Sequence, residues 1–279
     1  MSAGRLVLVA TPIGNLADLS PRALEVLTEA DLICCEDTRR TRTLLSAKGL
    51  PSGGRLLSLH EHNERARIDE VLSAVSAGSL VAVVSDAGTP GISDPGEHLV
   101  ATAVAAGLEV STVPGPSAVL GALSVSGLPT DRFVMEGFLP RKGAERSERL
   151  AALLVEERTS VILESPRRLV ATLRDLAEVL GGNRAAAVVR ELTKVHEEVV
   201  RGSLEEILQH FSSEEPRGEI VVVLRGAVLE AAVGVGDSEI IEAMTRARAQ
   251  GASLKDAASV VAETLGVPRR RAYELALGK

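Results

Sequence analysis

Residues 84–96, which read Val-Ser-Asp-Ala-Gly-Thr-Pro-Gly-Ile-Ser-Asp-Pro-Gly, constrain the fold of this chain more than any other stretch. An apolar run at 80–84 reads as a buried strand, and a helical pattern at 97–106 follows. The stretch therefore leaves the carboxyl end of a strand, where open α/β sheets place their ligands. Three glycines and two prolines in thirteen residues let a backbone come close and stiffen the turn. Asp86, Asp94 and neighbouring hydroxyls then sit on a rigid frame. The plainer reading is a Gly/Pro loop that caps the next helix through Asp94.

Earlier in the chain, a strand at 5–10 ends in a second polar loop, 11–20, after which Ser20 caps a helix with Pro21 at its first position. The loop lacks the G-x-G-x-x-G spacing of a dinucleotide site, and no G-x-x-x-x-G-K-[ST] is present. A strand at 31–35 runs into Glu36-Asp37-Thr38-Arg39-Arg40-Thr41-Arg42. This is either a solvated helix start capped by Thr38 or a site where arginines hold phosphates and a carboxylate faces the chemistry.

After a strand at 56–60, His60 and His62 share one face of an extended chain, a spacing that metals use, but no cysteine or third histidine lies near. Asn63 is expected to cap a helix at 64–77. A strand at 108–113 leads into Pro114-Gly115-Pro116-Ser117-Ala118 and an apolar helix at 119–126. That helix start offers backbone N–H groups to an anion, or Ser117 is merely its cap.

The second half has its own rhythm. Strands are expected at 133–138, 159–163, 185–192, 197–202 and 218–224, with helices at 144–157, 169–180 and 204–211. Hairpin-like pairs within this alternation imply a mixed sheet. From Gly226 the composition changes. Asp237 is expected to cap a helix to Gln250, Ser253 one over 254–265, and a basic helix follows at 269–277. The last two read as a helix-turn-helix presenting Arg269, Arg270 and Arg271 to phosphates, or as a dimerisation tail. The expected fold class is thus α/β, two domains at 1–114 and 115–226, with a small helical region at 227–279.

At 279 residues and 45% apolar, the chain is long enough for real cores, and no apolar run reaches the ~18 residues of a membrane span. The N-terminus enters a strand without a signal-peptide pattern, so a cytoplasmic protein is expected. Cys34 and Cys35, adjacent on one strand, point to opposite faces and do not pair. A net charge of −7 argues against a general nucleic-acid coat but leaves room for local basic surfaces, at Arg39–Arg42, Arg141-Lys142, Arg167-Arg168 and Arg269–Arg271. Phe133, Phe138, Phe211 and Tyr273 are the only aromatics among Phe, Tyr and Trp, too few for a base-stacking platform.

Six stretches, in order along most of the chain, carry a resemblance. They are Thr11-Pro12-Ile13-Gly14-Asn15-Leu16-x-Asp18, Glu36-Asp37-Thr38-Arg39, the loop from Ser85 to Gly96, Val113 to Ala118, Gly137 to Lys142, and Glu164-Ser165-Pro166-x-Arg168. Together they resemble the ribosomal RNA small subunit methyltransferase I family. The resemblance implies the tetrapyrrole methylase fold, with S-adenosylmethionine held between two α/β domains of a homodimer. It implies transfer of a methyl group to the 2′-hydroxyl of a cytidine in the decoding region of small-subunit RNA, on naked RNA or a 30S subunit, with no metal and no membrane. The cofactor positions that match are Ile13, Asp86, Gly88, Thr89, Pro90, Ile92, Ser117 and Ala118, with Leu163 and Glu164 carried over more loosely.

A ribose hydroxyl is a poor nucleophile until its proton begins to leave, so a nearby base is expected. Asp37, His62, Asp94 and Glu164 are the candidates, with Asp37 or Asp94 preferred. Arg39, Arg40, Arg141, Lys142 and Arg168 are expected to hold RNA phosphates, and Arg269 and Arg270 to do so from the helical region. Two rivals are a tetrapyrrole C-methyltransferase of the same fold and a non-catalytic ribosome assembly factor.

Overall fold

The computed structural model describes residues 4–213, 216–228 and 236–276. Contacts group the chain into two compact units, 1–226 and 227–279.

Within the first unit, β1 (Arg5–Val9), β2 (Leu32–Cys35), β3 (Leu56–Ser58), β4 (Leu80–Val84) and β5 (Glu109–Val113) pair in parallel, in the order β3-β2-β4-β1-β5. One face packs α1 (Pro21–Glu29) and α2 (Thr38–Ala47), through Leu27 and Leu45. The other packs α3 (Glu64–Ser76) and α4 (Glu97–Ala105), through Val71, Val75 and Leu99. Burial on both faces is why β1, β2 and β4 read as continuous apolar runs, whereas β5, at the sheet edge, is largely exposed and mixed in composition. Cys35 lies in the first of these clusters and Cys34 in the second, and both are free thiols. Burial pushes the Cys34 thiol up to about 12.

The strand order fixes where a ligand belongs. The crossover from β1 leads to β2 on one side of the β1–β4 pair, and the crossover from β4 leads to β5 on the other. Loops leaving the carboxyl ends of β1 and β4 therefore diverge around a crevice. These are the loops 10–20 and 85–96.

A second sheet has the order β6-β7-β10-β8-β9, from β6 (Phe133–Phe138), β7 (Thr159–Glu164), β8 (Ala185–Arg190), β9 (Glu198–Ser203) and β10 (Ile220–Leu224). Only β6 and β7 run parallel, which makes the sheet mixed, as the hairpin-like pairs imply. On central β10, Ile220, Val222 and Leu224 face α6 (Ala144–Val155), α7 (Pro166–Leu180) and α8 (Leu204–Ser212). Val221 and Val223 face α5 (Ala118–Val125), so the helix that follows the first sheet closes the second.

Several local expectations are corrected. Asp94 does not cap α4: the cap residue is Gly96, whose N–H donates to the buried carboxylate of Glu64. The turn that holds Asp94 leaves its carboxyl elsewhere, and a side chain from α3 does the capping. Asp37, not Thr38, caps α2, because its carboxylate accepts from the Arg39 N–H. Asn63 stands at the start of α3 but makes no cap bond; its amide accepts from the His60 N–H and donates to the Ser58 carbonyl. α7 starts at Pro166, where proline needs no N–H partner.

The second unit contains α9 (Asp237–Ala249), α10 (Leu254–Leu265) and α11 (Arg269–Ala276). They share a small core of Ile240, Met244, Ala257, Ala258, Val261, Val267 and Ala272. Ser253 caps α10 as expected, whereas Gly236 rather than Asp237 occupies the cap position of α9. Leu277, the expected end of the last helix, lies outside the described residues.

Candidate functional site

Three loops converge above the first sheet and are stitched to one another. Thr11 and Gly88 exchange backbone hydrogen bonds of 2.9 and 3.1 Å, joining the loops after β1 and β4. The Thr89 hydroxyl reaches the Pro116 carbonyl at 3.4 Å, which adds the loop after β5. Gly88 adopts φ 88°, open to glycine and strained for other residues. A Cβ there would meet Ile13 at 3.5 Å, an ordinary contact, so the backbone angle and not lack of space favours glycine.

These loops bound a cavity of about 410 Å³, within the range of small-molecule sites. The first lobe contributes Ile13, Gly88, Thr89, Ile92, Ser93 and Asp94. Ser117, Ala118 and Val119 add the start of α5, where Ser117 caps the Leu120 N–H at 3.3 Å. The first N–H groups of a helix have no partner within it, so this edge offers donors to an anion. Across the cleft the second sheet contributes Met135, Leu163, Glu164, Val189, Leu192 and residues 218–221. The wall is apolar on the sheet side and polar along the turns. It suits a ligand with a flat apolar ring system at one end and a charged, hydrogen-bonding chain at the other.

The lobes meet at one edge of the cleft where Gly14 faces the 191–197 turn, and a methyl group added at Gly14 would overlap Cγ of Lys194. The Lys194 ammonium is held on its own lobe by Glu191 at 2.8 Å and Glu219 at 3.1 Å.

An open recess of about 430 Å³ adjoins the cavity at the carboxyl ends of β2, β3 and β4. Glu36, Ser58 and His60 lie half-buried in it, and the side chains of Arg39 and Arg40 are largely exposed at its edge. Asp86 ties the central loop to this region: it accepts from the Asp37 N–H at 3.1 Å and pairs with Arg40 at 3.4 Å. Asp37 receives the Arg39 side chain at 2.7 and 3.1 Å, which holds its carboxyl well below the usual range.

Asp94 sits where cavity and recess meet. Partial burial pushes its carboxyl up to about 6, with help from the negative charges of Glu36 and Asp86 and an opposing pull from the Ser85 hydroxyl. Glu36 is raised as well, first by burial and then by Asp86, against Arg40 and His60.

The other sequence-derived residues are placed as follows. Glu164 lines the cavity, but its carboxylate already accepts from the Thr172 hydroxyl at 2.6 Å and the Ser165 N–H at 2.8 Å. Arg168 lies 3.3 Å from Glu164 and donates to the Leu139 carbonyl at 2.6 Å, so it braces the loop after β6. Arg141 and Lys142 are exposed on that loop. Asp86 lines the recess rather than the cavity, and Pro90 is buried without lining either. His62 is exposed, its ring 6.0 Å from that of His60. Among the described residues, no group of three or more His, Cys, Asp or Glu is placed to hold a metal. In the second unit, Arg270 pairs with Glu274 at 2.8 Å, and Arg269 is exposed near the Lys255 carbonyl. The sheet-side wall at Val189, Leu192 and 218–221 is absent from the sequence reading. The apolar run at 218–224 was its one visible signal, and only the antiparallel pairing shows which end faces the cleft.

Comparisons with known proteins identify the fold and the family. The family described as tetrapyrrole (corrin/porphyrin) methylases matches residues 5–208, and the RsmI C-terminal HTH domain matches 235–279. Proteins named ribosomal RNA small subunit methyltransferase I are similar over nearly the whole chain. That of Mycobacterium tuberculosis (strain CDC 1551 / Oshkosh) is 50% identical, covering 99% of this chain and 96% of the relative. That of Synechocystis sp. (strain PCC 6803) is 45% identical, covering 98% of each. Among solved structures, a uroporphyrin-III C-methyltransferase from Thermus thermophilus, complexed with S-adenosyl homocysteine, superposes with a TM-score of 0.55 at 22% identity, over 80% of this chain and 97% of that one. A cobalt precorrin-4 methyltransferase reaches 0.59 at 16% identity, over 79% and 94%. These structural likenesses show the shared fold, while the sequence relatives resolve the branch: the chain belongs to the ribosomal RNA small subunit methyltransferase I family, within the tetrapyrrole methylases.

Proposed function

We propose that this protein transfers a methyl group from S-adenosylmethionine to small-subunit ribosomal RNA, at the 2′-hydroxyl of a cytidine. The observation that carries the reading is the adjacency of a half-open, largely apolar cavity to a shallower recess edged by arginines, with Asp94 at their junction. Ile13, Ile92 and Leu163 would pack the adenine, while the turn at Gly88-Thr89 and the helix start at Ser117-Ala118 would take the methionine end. Asp86, bonded to the Asp37 N–H and paired with Arg40, anchors the loop that carries that turn, and Pro90 is buried beside it. When bound, the cofactor supplies an electrophilic methyl group on a sulfonium.

The remaining work falls to this chain's own residues. In-line approach is a matter of positioning, and the stitched loops provide it without reorganisation. Asp94, with an affinity for protons close to neutral pH, orients the hydroxyl and accepts its proton. Asp37 acts as a positioning residue, since it fixes Arg39. Arg39 and Arg40 hold the flanking phosphates, and Arg141, Lys142, Arg269 and Arg270 extend the contact to more distant RNA. Glu164 and Arg168, occupied with each other and with neighbouring backbone, support the cavity wall, and His62 lies at an exposed turn. We further propose a cytoplasmic homodimer with domains at 1–114 and 115–226 and a helical region at 227–279, acting on small-subunit RNA, naked or in the 30S subunit.

Incubation with methyl-labelled S-adenosylmethionine and small subunits lacking the modification tests this. Label recovered in ribose 2′-O-methylcytidine is expected. Label found only in added uroporphyrinogen would overturn the RNA reading in favour of tetrapyrrole methylation. No label in either would leave an assembly factor. The relatives named for ribosomal RNA, at 45–50% identity against 22% for the uroporphyrin enzyme, favour the first outcome.

A further inference from the structure

The recess beside the cavity holds two unmatched polar side chains. Among the described residues, the Glu36 carboxylate accepts no hydrogen bond, and the buried Nδ1 of His60 has no partner. The backbone beneath both is pinned. The Leu59 N–H donates to the Cys35 carbonyl at 2.8 Å, joining the ends of β3 and β2. Asn63 accepts from the His60 N–H at 2.8 Å and donates to the Ser58 carbonyl at 3.1 Å. With no acceptor among the described residues in reach of the buried Nδ1, the neutral imidazole keeps its proton on Nε2, on a ring that lines the recess. The carboxylate offers only acceptors, and the imidazole can offer an N–H.

We propose that Glu36 and His60 read the base of the acceptor nucleoside and select cytosine against uracil. This rests on the reading of the chain as an RNA methyltransferase and adds to it the residues that choose the base. A cytosine presents an amino group (N4) beside a ring acceptor (N3), which match a carboxylate and an imidazole N–H in turn. Uracil reverses both, placing O4 against the carboxylate and N3–H against the imidazole N–H. Arg39 and Arg40, at the edge of the same recess, lie where the phosphates of that nucleotide would emerge. Asp94, at the boundary with the cavity, lies where its ribose would face the methyl donor. The scarcity of aromatics elsewhere makes edge recognition the remaining means of telling pyrimidines apart.

The test measures methylation of small subunits carrying the acceptor as cytidine or, by substitution in the RNA, as uridine. The wild-type protein is expected to prefer cytidine by about 10- to 100-fold in kcat/KM. Glu36→Gln, whose amide both donates and accepts, brings that ratio close to one, while Glu36→Asp keeps a preference for cytidine. His60→Ala lowers kcat/KM on cytidine about tenfold. In each variant, unchanged affinity for S-adenosylhomocysteine by calorimetry shows an intact fold and cavity. A Glu36→Gln protein that binds S-adenosylhomocysteine normally and keeps the wild-type cytidine-to-uridine ratio overturns the proposal. A wild-type protein that labels neither RNA overturns the methyltransferase reading itself, a separate result.

Discussion

Glu64, on α3, holds the start of α4 from across the fold: its Oε1 accepts from the N–H of Gly96 at 3.1 Å and from that of Leu99 at 2.9 Å. A buried carboxylate thus supplies the cap that the loop ending in Gly96 lacks. Glu64→Ala is expected to cost about 1–3 kcal/mol, because two backbone donors lose their partner. Glu64→Gln, which retains an acceptor, should cost less. Urea unfolding of both variants measures the difference. Equal losses would show that the cap geometry is not what matters there.

Asp94→Asn separates activity from stability. As the acceptor of the hydroxyl proton, Asp94 should make kcat/KM rise with pH to a plateau above about 6. The asparagine variant is expected to lose about 100-fold or more and to flatten that rise. Stability moves the other way. Asp94 binds its proton more tightly in the folded protein than in the unfolded chain, so folding is penalised as pH climbs from the ordinary aspartate range through about 6. The variant should therefore be more stable by about 1–2 kcal/mol above pH 6, allowing for partial exposure, and no more stable at pH 3. Thermal melts across this range check the sign.

Arg40→Ala tests the phosphate contact. Methylation of small subunits should weaken mainly through KM, and the slope of log affinity against log salt should fall by about one. Affinity for S-adenosylhomocysteine should hold, because Arg40 lines the recess and not the cavity. Loss of cofactor affinity would mean that the Arg40–Asp86 pair supports the central loop instead.

Cys34 and Cys35 should resist alkylation in the native protein at pH 8, since both are buried and their thiols are pushed up, that of Cys34 to about 12. Mass spectrometry before and after addition of denaturant reads the outcome. Rapid native labelling would mean that β2 opens readily.

Much of the fold was legible because it rests on local signals. Apolar runs such as 80–84 and caps such as Ser20 and Ser117 place strands and helices directly, and the resemblance of the turn at 88–90 points to a cofactor. What escaped depends on contacts far apart in sequence. Glu64 reads as an ordinary helix residue, and its role appears only when α3 and α4 pack side by side. Asp94, read as a helix cap or a base, owes its raised carboxyl first to burial in the folded cleft and then to Glu36 on another loop. The cavity wall at Val189 and Leu192 lies at and just beyond the end of β8, whose pairing with the distant β10 no periodicity announces. Glu164, read as a candidate base, and Arg168, read as a phosphate contact, lie 3.3 Å apart and also bond to Thr172, Ser165 and the Leu139 carbonyl, contacts that only the fold brings together.

Because a side chain at residue 14 would collide with the stem of Lys194, and Lys194 is moored by two glutamates, bare backbone sets how closely the lobes approach at that edge. The gap is therefore a dimension of the molecule in its own right. Any bulk introduced at residue 14 would act as a wedge, widening the cleft without touching a single group that handles the methyl.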